Sequence, residues 1–406
     1  MAEGSAAQLI IYICGPQDLS KSVGVFNKII GQIKTLKSEL NSEKCELLYL
    51  HESSILSLVF KGNDEEPHKS EIYVSNPTVT KLTYYKHIFN YLVNKNADKD
   101  PQNFLFFRGG VFDPYLVKIL DWAKSKHYII IMEIPTSSFI DEYLKDNSRI
   151  KGLYKLYMYK RNVRKILDRT DLVTCVGHVP KYKEFLSRID KVIVFQNGID
   201  VENIPVRTVN TKDKSVDELH LVGVANVTYW HGYDRVITGL AQYYSKKNND
   251  SIPKVYFHIV GDGREIKHLK SLTEQLNLSQ YVIFHGIKQG KELDEIMNIC
   301  HIGIGSIGLH RENLTINSTL KAREYCARGI PFISSGIDED FAPDFKYRLQ
   351  VPADESPVNI EEVIRFYETI RNENYINSMR KYAEENLSWQ VKLKPIVAKL
   401  LEICKQ

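Results

Sequence analysis

With 406 residues, 43% of them hydrophobic and 26% charged, the chain has room for two domains with separate cores, and its composition excludes a disordered or collagenous protein. A formal charge of +4, from 54 basic and 50 acidic residues, is too even for a dedicated nucleic-acid binder, so no nucleic acid is expected among its partners. Six scattered cysteines (14, 45, 175, 300, 326 and 404) form no CxxC pair and have no histidine at zinc spacing, which predicts reduced core residues rather than a disulfide frame or a metal site.

The first apolar run, LIIYIC at 9–14, is too short for a signal-peptide core or a membrane span, and no later run is long enough to cross a bilayer. A cytoplasmic protein, soluble or peripheral on the inner face of the cell membrane, is therefore expected. Strands are predicted at LIIYIC, CELLYL, NFLFF, YIIIM, DLVTCV and KVIVF, with helices such as FNKIIGQIKTLKSEL and PYLVKILDWAKSK between them. A polar stretch near 203–217 has no periodicity. After it the alternation resumes, with strands at LHLVGVA, KVYFHIV, YVIFHG, HIGIGSI and PFISS, and the chain reads as helical from about Glu361 onward. This is α/β architecture with parallel sheets: two Rossmann-like domains facing across a cleft. The expected division is 1–205, a linker at 206–217, 218–385, and a final helix at 386–406.

Ligands of such sheets bind beyond the carboxyl ends of the strands, which selects candidates by position. In the first half the tips carry Gly15 and Gly24 in a loop suited to a phosphate or sugar, then Arg108, Glu133 with Thr136, His178, and Asn197. In the second half they carry Asn226, His231 and Gly232 (NVTYWHG), Gly261, Ile287, and a loop starting at Ser306. His231, at a helix start, is suited to donate to a phosphate or a hydroxyl.

The stretch NSTLKAREYCARGIPFISSG, 317–336, reads as a polar turn, a short helix, a glycine stop and a strand. Ser318 or Thr319 suits the N-cap, leaving free N–H groups in the first turn as an anion site. Lys321, Glu324 and Arg328 share one face; Lys321 reaches a phosphate, Glu324 accepts from a vicinal diol such as a ribose, and Arg328 is expected to be solvated. The competing reading is a surface Lys–Glu pair worth about 0.2–0.5 kcal/mol.

LVGVANVTYWHGYDRVITGL, VYFHIVGDG, VIFHG and STLKAREYCARGIPFIS, in that order, resemble the nucleotide-sugar domain of retaining GT-B glycosyltransferases of the "glycosyltransferases group 1" type, which build bacterial exopolysaccharide, capsule or O-antigen. The resemblance covers roughly 218–336; GVFNKIIGQI, the EIPT turn and FQNGID are similar to the family's acceptor domain. It implies transfer of a hexose from a nucleoside diphosphate sugar to a saccharide or polyprenol-linked acceptor, without metal or cofactor. It places the ribose on Glu324, the diphosphate on Thr319, Leu320 and Lys321, and the nucleobase beside Ile287. Glu133, His231 and Lys321 are the residues expected to take part in catalysis; Glu133 either orients the acceptor or acts as base. Three departures stand out. Ile316 occupies the place of a second glutamate, Asn226 and His231 stand where an Arg and a Lys are usual, and GLHRENLTIN replaces the acidic glycine-rich turn, with Arg311 adding a positive charge. These departures motivate the alternative of a catalytically silent GT-B subunit that steers a partner transferase.

GIGSIG at 303–308 fits a dinucleotide fingerprint, but its glycines lie inside a strand, where that fingerprint has no function. The DED at 338–340 reads as a solvated turn rather than a metal-diphosphate site. Finally, RIKGLYKLYMYKRNVRK, 149–165, is rich in Lys, Arg and Tyr and has no acid. It is either a solvated helix face or a surface that meets anionic lipid headgroups on the inner membrane.

Overall fold

The computed structural model describes residues 9–62, 67–95, 103–136, 139–144, 149–208, 217–245, 252–314, 316 and 318–405. Most of the expected linker, 209–216, lies outside these residues. The chain forms two compact units: residues 1–196 with 392–406, and residues 197–391.

The first unit is built on eight strands: β1 (Leu9–Asp18), β2 (Lys44–His51), β3 (Ser54–Lys61), β4 (His68–Val74), β5 (Phe104–Arg108), β6 (Ile129–Ile134), β7 (Leu172–Val176) and β8 (Val192–Phe195). They lie in the order β4-β3-β2-β1-β5-β6-β7-β8. The strands read from the sequence are all present and pair in parallel, because helices cross between them over an apolar face of Ile11, Ile13, Leu48, Leu105, Phe107 and Ile130. β3 and β4 carry no assignment in the sequence reading, yet they pair antiparallel with each other and extend the sheet beyond β2. Only a tight turn separates β3 from β2, with Glu52 at φ 55, and β4 is largely exposed and lacks an apolar run. The helix Trp389–Ile403 runs into this unit from Lys392 onward, where Leu393 and Ile396 line a small cavity with Gln32 and Leu36 of the Val23–Glu39 helix.

The second unit holds β9 (Glu218–Val224), β10 (Lys254–Val260), β11 (Val282–Gly286), β12 (Ile302–Ile304), β13 (Phe332–Ser334) and β14 (Arg348–Gln350), ordered β11-β10-β9-β12-β13-β14 and parallel throughout. Both faces are covered, one by Leu219, Leu221, Phe257 and Ile259 with Tyr233 and Val236, the other by Val222, Val260 and Phe332 with Tyr325 and Cys326. Five of the six cysteines are buried and all six are free, as their spacing implied.

Four histidines cross this sheet in a row. His220 Nδ1 and His258 Nε2 are 2.9 Å apart, His258 Nδ1 and His285 Nε2 are 2.8 Å apart, and His301 Nδ1 accepts from the His220 N–H at 3.0 Å. The row requires neutral imidazoles, since each contact pairs one donor with one lone pair. Burial, then the neighbouring histidines, push His258 down to about 4; burial, then Arg207, push His301 down to about 3. The unfolded chain, titrating near 6.5, therefore binds more protons below that pH, so the stability is present above it and lost as pH falls toward the folded values. Calorimetry of the chain should show a loss of roughly 3–5 kcal/mol between about pH 7 and 4.5, with a flatter slope in His258→Gln and His301→Gln variants.

Candidate functional site

The site is built on the tips of β9, β12 and the segment that follows β12. Two glycines inside strands give it room. A Cβ at Gly223 would lie 2.6 Å from the Tyr233 ring, and one at Gly303 2.6 Å from the Tyr325 ring. Tyr233 thus seats against β9 at the start of the Tyr233–Ser245 helix, while Tyr325 anchors the Leu320–Arg328 helix by donating its hydroxyl to the Val222 and Ile304 carbonyls at 3.2 Å. Gly303 of GIGSIG therefore serves packing, and only a four-residue 3-10 turn, Leu309–Glu312, follows the last glycine, Gly308.

Leu320–Arg328 starts on Thr319, which makes no side-chain cap, so the first-turn N–H groups are unclaimed by it. Ser318 is turned away, its hydroxyl accepting from the Asn197 N–H at 2.8 Å, while Asn197 Nδ2 bonds the Ser318 carbonyl. Gly329, at φ 73, closes the helix after one buried face of Ala322, Arg323, Tyr325 and Cys326.

Beside that first turn, Lys321 Nζ lies 3.5 Å from the Tyr233 hydroxyl and 5.4 Å from its ring centroid. Among the described residues Lys321 has no carboxylate partner, and burial pushes its ammonium down to about 7. His231 adjoins the same ring, 5.6 Å centroid to centroid. Its Nδ1 accepts from the Thr228 N–H at 3.0 Å, which puts the proton of the neutral ring on Nε2. Burial, then the Lys321 charge, hold it neutral by pushing it down to about 2. Gly232, at φ 69, packs against Gly308, where a Cβ would meet Ile307 and the Gly308 nitrogen within 2.9 Å. Ser306 is buried at the start of this contact and Asn226 is exposed at the β9 tip.

Glu324 lies one turn beyond Lys321, and the structure corrects the expectation for its neighbour. Arg328 is buried: its Nε bonds Glu324 Oε1 at 3.0 Å and its Nη1 bonds Asp294 Oδ1 at 2.7 Å, so it orients the Glu324 carboxylate instead of facing solvent. The DED turn is also corrected. Asp338 and Asp340 both ion-pair with Arg323, which is fully buried and also bonds the carbonyls of Asn197 (3.0 Å) and Thr319 (3.2 Å). Arg323 was missed because it sits among polar residues on a short helix with no visible partner nearby. Its acids come from beyond β13.

Arg311 is corrected too. Its guanidinium is bidentate on Asp234 (3.0 and 2.7 Å) and also bonds Glu355 and the Tyr229 carbonyl. The hydrogen bonds to Glu355 and Asp234 raise its pKa further, and its charge is spent on joining the β9 and β12 tips. Ile316 makes an isolated bridge to Ile337.

Gly261 and Ile287 meet in a separate cavity of about 310 Å³ at the tips of β10 and β11, lined also by Asp262, Ile266, Lys270, Phe284 and Gly286. Gly261 is required there: its φ is 122 and a Cβ would fall 1.8 Å from the Ala225 carbonyl oxygen.

The first unit holds Gly24, Arg108, Glu133, Thr136 and His178. Gly24 is exposed with open space around its Cα, and His178 lies just past β7. Glu133 is the penultimate residue of β6, opposite Arg108 at the end of β5. It lies within β6, 3% exposed, accepting from the Tyr12 hydroxyl at 2.6 Å and facing Lys28 Nζ at 3.5 Å. Burial pushes its carboxyl up, but Lys28, Arg108 and the hydrogen bonds outweigh this and hold it below its ordinary value. A buried carboxylate held below its ordinary value is a poor general base, so the geometry does not favour Glu133 as the base. Its neighbour across the ladder, Arg108, keeps a buried Nη1 with no hydrogen-bond partner.

Two sheets of this topology, the second with an uncapped helix start after its fourth strand in sequence, are those of the GT-B fold. Residues 208–343 match the family model described as Glycosyl transferases group 1. Among solved structures it is similar to sucrose-phosphate synthase from Thermosynechococcus elongatus (14% identity, 98% of this chain and 99% of that one, TM-score 0.61). It is also similar to the lipopolysaccharide outer core galactosyltransferase WaaB (14%, 98% and 100%, 0.57) and to Anabaena Alr3699/HepE in complex with UDP-glucose (12%, 97% and 99%, 0.56). None of the curated proteins compared with the chain matches it.

Proposed function

We propose that the chain moves a hexosyl group from a nucleoside diphosphate sugar to a saccharide or lipid-linked saccharide acceptor, with retention, in surface-polysaccharide synthesis. The carrying observation is the uncapped first turn of Leu320–Arg328 with Lys321 beside it and Glu324 one turn on. In this reading the N–H groups at Leu320 and Lys321 and the Lys321 ammonium hold the diphosphate, and Glu324, fixed by Arg328, accepts from the ribose hydroxyls. Ile287 and Gly261 border the nucleobase in their cavity. Neutral His231 offers Nε2–H to a sugar hydroxyl or a phosphate oxygen, and Gly232, Ser306 and Asn226 border the sugar.

The acceptor is assigned to the first unit, through Arg108, Thr136 and His178. The unpartnered Arg108 Nη1 supports that assignment, since a buried donor without a partner carries a cost that a ligand oxygen would remove. In the reaction the bond from the anomeric carbon to the phosphate oxygen breaks. The acceptor oxygen bonds that carbon on the same face, and its proton passes to the departing phosphate oxygen. No protein nucleophile is required, nor Glu133 as a base. Ile316, standing where a second glutamate is usual and engaged in a bridge, favours the second reading of a silent subunit.

A thermal-shift panel of nucleotide sugars, headed by UDP-sugars, separates the two. A donor at about 100 times its Kd should raise the midpoint by roughly 5–10 °C. The best donor should then give nucleoside diphosphate release that EDTA leaves unchanged. Glu324→Ala should raise the donor KM about 10- to 100-fold with a smaller change in kcat. A midpoint unmoved by every donor would sink the enzyme reading.

A further inference from the structure

The helix Arg149–Arg169 buries one face and leaves the other unused. Tyr159, Val163, Ile166 and Leu167 pack into the first unit's core, and Asn162 Nδ2 bonds the Phe112 carbonyl at 2.8 Å. The opposite stripe is divided along its length. Its first half is apolar and aromatic: Ile150 is 81% exposed, Leu153 52%, Tyr154 49% and Tyr157 56%, at spacings that form one continuous ridge. Its second half continues the same stripe with exposed Lys160, Arg161, Arg164 and Lys165, and no acidic residue occurs before Asp168. Asp168 is itself paired with Arg188.

Four large apolar or aromatic side chains left this exposed on one helix are a docking surface rather than a solvated face. The charge beside them selects the partner. A second copy of the chain would bring like-charged stripes together, and a nucleic acid offers nothing for Ile150 and Leu153 to enter. An anionic bilayer satisfies both halves: the ridge enters the boundary between headgroups and acyl chains, and the cations stay at the phosphates. We propose that this face docks the protein on an anionic lipid surface, with the Ile150–Tyr157 end inserted and the Lys160–Lys165 end lying along the headgroups. Arg161 Nη1 donates to the Tyr157 hydroxyl at 2.9 Å, which keeps one basic group at the junction of the halves. In the proposed reaction this docking would bring the acceptor unit to a lipid-linked acceptor. Membrane binding is nonetheless measured without turnover, so the two readings fail separately.

The test is flotation of the full chain with vesicles of mixed phosphatidylglycerol and phosphatidylcholine, against vesicles of phosphatidylcholine alone. Binding is expected to the mixed vesicles only, and to weaken as salt rises from about 0.1 M to 0.5 M. Each basic residue at such a surface is worth roughly fivefold in partitioning, so Lys160→Gln/Arg161→Gln/Arg164→Gln/Lys165→Gln should bind at least tenfold more weakly. Leu153→Ser/Tyr157→Ser should lose binding that low salt does not restore, while both variants keep the parent melting temperature. Equal binding to both vesicles, or none to either, overturns the proposal. So does a dimer in sedimentation velocity that Leu153→Ser/Tyr157→Ser dissolves, which would assign the face to a second copy.

Discussion

Lys321→Met should lower kcat/KM by about 10²–10³ while leaving the melting temperature unchanged or raised. Activity and stability part because the ammonium has no carboxylate partner among the described residues and stands over the Tyr233 ring, with burial opposing its charge. An apolar chain of similar length removes that opposition, whereas the proposed diphosphate site loses a cation. The sign with pH follows. The folded pKa is about 7 and the unfolded one near 10.4, so the unfolded chain binds the extra proton between those values and stability rises with pH across that window. Donor binding runs the other way. A nucleotide sugar selects the protonated amine, so its Kd should be flat below about pH 7 and rise up to tenfold per unit above it. Isothermal titration from about pH 6 to 9 measures this, and Lys321→Arg, protonated throughout, should lose the pH dependence. A parent Kd independent of pH would remove Lys321 from the diphosphate site.

Arg323→Met should cost about 3–5 kcal/mol and lower the midpoint by roughly 10 °C. The substitution leaves Asp338 and Asp340 facing each other inside the second unit without their cation. It also frees the carbonyls of Asn197 and Thr319, so the start of the helix proposed to hold the donor loosens along with the fold. Adding Asp338→Asn and Asp340→Asn to Arg323→Met should recover part of the midpoint but not the donor affinity. Differential scanning calorimetry reads the first and donor titration the second. Full recovery of both would reduce Arg323 to a dispensable ion pair.

Much of the architecture was legible because parallel strands buried on both faces are short apolar runs, and LIIYIC, YIIIM, KVYFHIV and HIGIGSI are such runs. The β3–β4 pair escaped because β4 mixes Lys, Ser and Glu with Ile and Tyr and is mostly exposed. The shared face of the candidates Lys321 and Glu324 was legible through helical spacing alone, since neighbours three apart on a helix share a face whatever surrounds them. Glu133 and Arg311 were read as available for one shared reason. A charge at a loop or strand end looks available until its partner is known, and the partners Lys28, Asp234 and Glu355 lie 105, 77 and 44 residues away.

The amino-acid sequence by itself therefore determined two α/β units, their parallel strands, and a short polar helix whose start suits an anion, because all three are set by local periodicity and capping. Only the tertiary structure decided which charges remain available. It paired Arg311, Arg323 and Arg328 with acids from other elements and closed Glu133 beneath Tyr12 and Lys28. It left Lys321, over an aromatic ring, without a carboxylate partner among the described residues. A charge's availability depends on long-range pairing and burial, which no local pattern encodes.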